Sequence, residues 1–69
     1  MAKDNWDKFI DECVEDSEIK VCKTSKEVHD IMLREFKRAY EGKVSMGRIE
    51  AFADDATESI CLRLHIPQE

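Results

Sequence analysis

The chain has two glycines and one proline in 69 residues, too few for a loop-built scaffold. Its three cysteines, Cys13, Cys22 and Cys61, are odd in number, widely spaced and form no CxxC pair, so no disulfide framework or thioredoxin-type motif is expected. No apolar run approaches the roughly 18–20 residues that cross a bilayer. The opening Met1-Ala-Lys-Asp-Asn lacks the apolar core of a signal peptide. A soluble, cytoplasmic protein is expected. There is no phosphate-cradling glycine loop, Walker lysine or HExxH motif.

What is present is charge. Sixteen acids oppose eleven bases for a formal net charge of -5, and their distribution is uneven. Residues 1–17 balance at -4, residues 18–48 at +3 and residues 49–69 at -4. A basic middle therefore lies between two acidic ends. The ends and middle either neutralise one another on folding or meet partners of opposite sign. Hydrophobic residues make up 42%, enough for one small core and too many for a disordered tail. At 8.1 kDa, residues 1–69 form a single small domain that buries only about 60% of its unfolded surface. Association, as a homodimer or in a tight complex with another protein, is the expected extra source of stability.

Periodicity predicts the elements. Trp6, Phe9, Ile10, Cys13 and Val14 make one apolar stripe of a first helix, capped by Asp4 or Asn5 and ending near Asp16-Ser17. Glu18 to Lys23 alternates, with Ile19 and Val21 on one side and Lys20 and Cys22 on the other, which predicts a short strand. Thr24-Ser-Lys-Glu27 matches a capping box, opening a helix to about Glu41 with Gly42 beyond its end. The apolar arc of that helix, Val28 to Tyr40, spans half its circumference, so it is expected to be the central helix. Ser45 caps a third long helix that carries Met46, Ile49, Phe52, Ala53, Ala56, Ile60 and Leu64 on one face. Residues 60–66 fit both a helical continuation, slightly favoured, and a terminal strand; Pro67 ends either. The expected fold is mainly α: a small three-helix domain with one short strand, in the order α-β-α-α, or α+β if residues 60–66 pair.

Four constellations bear on function. Cys61 and His65 lie one helical turn apart, and Cys22, His29 or Cys13 could extend them toward a zinc site. Structural zinc, however, uses two tight ligand pairs and only one has that spacing here, so no metal or other cofactor is expected. Cys61, His65 and Glu58 imitate a catalytic trio on one helix, but such trios are assembled from separate elements around a pocket; an enzyme is not expected. Acidic stripes on the first and third long helices, Asp7, Asp11 and Glu15 with Glu50, Asp54 and Glu58, form the expected partner-binding surface. Their spacing of about 5–6 Å approaches that of nucleic-acid phosphates. Trp6 and Phe9 are core anchors, or hot spots for a partner if the first helix undocks.

The expected function is thus non-catalytic: a small acidic regulator, adaptor or inhibitor that occludes the basic surface of a partner protein, with nucleic-acid mimicry as one form. The alternative follows from the order strand, capped helix, turn, helix, which resembles that of ribbon-helix-helix DNA-binding dimers. In that reading Lys20, Lys23 and Lys26 of a homodimer contact nucleic acid.

Overall fold

Each long helix begins where a short polar side chain satisfies backbone N–H groups that have no partner within the helix. The computed structural model describes residues 5–67 and contains four helices in that span: α1 (Asn5–Glu15), α2 (Ser17–Lys20), α3 (Ser25–Tyr40) and α4 (Met46–Leu64). Thr24 Oγ1 accepts from the Glu27 N–H at 3.3 Å, and the Glu27 carboxylate reaches back to the Lys23 N–H at 3.2 Å. The capping box therefore closes on the residue before the cap rather than on the cap itself. Ser45 Oγ accepts from the Arg48 N–H at 3.4 Å at the start of α4. The proposed Asp4 cap of α1 lies outside the described residues, and Asn5 is already helical.

The strand expected over residues 18–23 is a correction. Ser17–Lys20 forms a single helical turn instead. The physical reason is Asp16, which breaks α1 in an extended conformation and accepts from the Glu18 N–H at 2.8 Å, so that one helix ends and the next starts at the same residue. Exposure contradicts the strand pattern as well. Ile19 is 1% exposed and Val21 72%, although alternation placed them on one side. No second strand offers a ladder; the described residues contain one isolated bridge, Glu41 to Val44. That bridge braces the turn between α3 and α4, where Gly42 takes a φ of 82° that costs glycine little.

The core also centres elsewhere than expected. Ile49, Ala53, Ala56, Ile60 and Cys61 of α4 are completely buried, whereas α3 contributes Val28, Met32 and Phe36 and leaves Ala39 and Tyr40 exposed. Both α1 and α3 lie close against α4, and small Ala53 and Ala56 permit that approach. The hub is α4, not the helix of residues 25–41. The α1 and α3 backbones stay further apart and meet through side chains. Trp6 stacks on Phe36 at 6.3 Å, Phe9 meets the same ring at 5.2 Å, and Cys13 Sγ lies 4.0 Å from Met32 Sδ. All five aromatic residues join one cluster around Phe36, with Tyr40 and Phe52 on its α4 side.

At its far end α4 stops when His65 turns left-handed, with φ 57° and ψ 37°. The Ile66 N–H bonds the Cys61 carbonyl at 2.9 Å, a Schellman-type closure. This folds half-buried Ile66 back onto the core. Thr57, the one buried polar residue among those described, donates to the Ala53 carbonyl at 2.6 Å, which removes the cost of burying its hydroxyl.

Candidate functional site

The acidic residues singled out in the sequence fall on two separate flanks. Asp11 is ion-paired with Arg63, which ties the α1 stripe to one side of α4. Asp54 lies 2.8 Å from His29 Nε2, which ties the α4 stripe to α3. Arg63 and Asp54 are nine residues apart on one helix, and at about 100° per residue that separates their directions by about half a circle. Asp7 and Glu15 follow Asp11, Glu50 and Glu58 follow Asp54, so the six carboxylates do not converge on one face. Glu15 is itself bridged to Lys20 at 3.3 Å. These contacts are exposed, and pairs of this kind contribute roughly 0–1 kcal/mol each; they set charge more than stability.

The basic set is dispersed. Lys20 lies on α2 beside Glu15, Lys23 in the loop and Lys26 in the first turn of α3. With residues 17–20 helical, no ribbon presents them together.

The thiol and imidazole groups do not assemble either. Cys61 is fully buried, whereas Glu58 and His65 are exposed. Burial raises the Cys61 thiol above its ordinary pKa, which opposes a thiolate. Burial raises Cys22 too, helped by Glu27, Cys61 and Glu18, and its Sγ donates to the Glu18 carbonyl at 3.3 Å. Among the described residues no three His, Cys, Asp or Glu side chains are placed to hold a metal ion. None of the described helices is long and apolar enough to cross a membrane.

One feature escaped the sequence reading. Because α1 and α3 touch only through side chains, a groove opens along their seam. Its first section, about 330 Å³, is walled by Trp6, Phe9, Phe36 and Tyr40; its second, about 190 Å³, by Cys13, Ile19, Ile31 and Met32. Phe9 and Glu35 border both sections, so the two adjoin along the seam. Glu12, Asp16 and Glu35 stand on the rim, all exposed, and no described Lys or Arg lines either section. The field of these carboxylates reaches the floor. Cys13 is pushed up to about 11, first by burial and then by Asp16, Glu12 and Glu35. The sequence did carry a signal, since Glu12 and Asp16 each follow an α1 apolar residue, Phe9 and Cys13, by three positions.

Comparison with protein-family models, with curated proteins and with solved structures finds no match for this chain.

Proposed function

We propose that this protein is a non-catalytic, acidic regulator, an adaptor or inhibitor, that binds a partner protein and covers a basic surface on it. The observation that carries the reading is the exposed Glu50-Asp54-Glu58 stripe on α4. Its three carboxylates succeed one another at one-turn intervals, and neither Glu50 nor Glu58 has an ion-pair partner among the described residues. Carboxylates so spaced stand about 5–6 Å apart. Where the covered surface normally holds nucleic acid, they substitute for phosphates. The α1 stripe is a weaker contributor, because Arg63 and Lys20 already engage Asp11 and Glu15. No observation favours the DNA-binding alternative, whose ribbon is absent and whose lysines are scattered.

The test is reconstitution. Wild type and the Glu50→Lys/Asp54→Lys/Glu58→Lys variant are used as bait in host extract, and any protein retained by wild type alone is purified and titrated. The expected result is a stoichiometric complex with a basic protein that weakens steeply with salt and changes that protein's activity. Identical capture by both baits overturns the reading, as does a complex indifferent to salt. Duplex DNA competing for the same complex identifies the mimic form.

A further inference from the structure

We propose that the groove between α1 and α3 is the docking site for a basic amphipathic helix of a partner protein. Its apolar face lies on Trp6, Phe9 and Ile31, and its lysines or arginines face Glu12, Asp16 and Glu35. This rests on the reading of the protein as a binder of basic partners, and it adds a second contact surface apart from the α4 stripe and the form of the segment that fills it.

Three observations select that occupant. The length fits: Trp6 to Glu15 is nine steps of α1, about 14 Å, with Asp16 just beyond its end, which matches two to three turns of a docked helix. The chemistry fits, since an aromatic and aliphatic floor with carboxylates above it and no described cation in its lining complements apolar residues at i, i+3, i+4 and i+7 flanked by bases. Arg34 is the one described cation paired with a rim group, 3.6 Å from Glu35, and its closer contact is Glu18 at 2.6 Å. The chain's own helices fit poorly. α1 and α4 present acidic exposed faces that the rim repels, and the apolar side of basic α3 is spent on the core. Phosphate-bearing ligands meet the same repulsion. The floor is suited to binding: Trp6 and Phe9 are half-buried and each ring packs against buried Phe36, so they offer aromatic area that is already held in place on one side.

The experiment titrates the full chain with a fourteen-residue Leu/Lys peptide whose leucines repeat at helical spacing. The peptide has no aromatic residue, so Trp6, the single tryptophan, reports alone. Expected are a saturable shift of Trp6 emission to shorter wavelength at one peptide per chain, and amide-shift changes confined to the seam. Glu12→Lys/Glu35→Lys should weaken binding at least tenfold. Glu41→Lys/Asp55→Lys, an equal charge reversal at exposed carboxylates away from the seam, should alter it less than twofold. A peptide of equal composition with scattered leucines should bind at least tenfold more weakly. Equal losses in both variants, or equal binding of the scattered peptide, reduce the effect to bulk charge and overturn the proposal. Sedimentation showing a wild-type dimer that the peptide fails to displace assigns the groove to a second copy, and also overturns it. Circular dichroism of each variant separates lost docking from lost folding. Failure here leaves host capture through the α4 stripe untouched, because the two experiments alter different residues.

Discussion

Phe36 is where the three long helices are joined, and replacing it tests the architecture directly. Its ring is 5% exposed and contacts Trp6 and Phe9 of α1, Tyr40 of α3 and Phe52 of α4 at centroid distances of 5.2 to 6.3 Å. A chain of this length has roughly 3–10 kcal/mol of total stability. Truncating a buried Phe to Ala costs about 3–5 kcal/mol, so Phe36→Ala should leave little or no folded protein. Phe36→Leu is the informative change. It keeps most of the volume, for which swaps cost less than about 1.5 kcal/mol, but forfeits ring contacts of about 0.5–1.5 kcal/mol per pair. A net loss of about 2 kcal/mol is expected. With a urea dependence of about 1 kcal/mol per M for so small a domain, the midpoint should fall by about 2 M. Circular dichroism and Trp6 emission should report the same transition. A cycle with Phe52→Leu should give a coupling of about 0.5–1.5 kcal/mol. A midpoint shift below about 0.5 M with native Trp6 emission unchanged would refute the reasoning, because Trp6 stacks on the altered ring.

Three further outcomes are expected. His65 holds a left-handed backbone at the end of α4, which costs a non-glycine residue about 1 kcal/mol, so His65→Gly should raise the urea midpoint; a lowered midpoint would show that the imidazole contributes more than the strain costs. Thr24→Ala removes the cap of α3 and should cost about 1 kcal/mol, measured the same way, whereas no change would mean that the Glu27 contact to Lys23 suffices. Cys13 holds its proton more tightly folded than unfolded, with a pKa of about 11 against an ordinary 9.0. Its contribution to stability is therefore complete below pH 9 and is lost as pH rises toward 11. Wild type should weaken more between pH 9 and 11 than Cys13→Ala does, and parallel curves would contradict the burial and carboxylate field assigned to Cys13.

Periodicity and capping were legible before any coordinates because both are local. An apolar residue every three or four positions marks a helix wherever that helix ends up. Thr24, Ser45 and Gly42 act within three or four residues of themselves. Residues 18–20 misled because alternation over so few positions fits two geometries, and the decision fell to Asp16 capping and to Ile19 finding the core. The identity of the hub was equally hidden. A wide apolar arc announces burial on α3, but only packing reveals that α1 and α3 both lie against α4, whose Ala53 and Ala56 are fully buried.

The candidate surfaces divide along the same line. That the ends of the chain are acidic, and that Glu50, Asp54 and Glu58 share a helix face, follows from residue spacing on a helix of known pitch. Which carboxylates are engaged, by Arg63, Lys20 or His29, depends on contacts between residues as far as 52 positions apart. The opening between α1 and α3 exists because both helices pack most closely on a third, α4, leaving their own backbones separated. No one-dimensional pattern encodes a gap, since a gap belongs to two helices at once and is set by what lies beneath them.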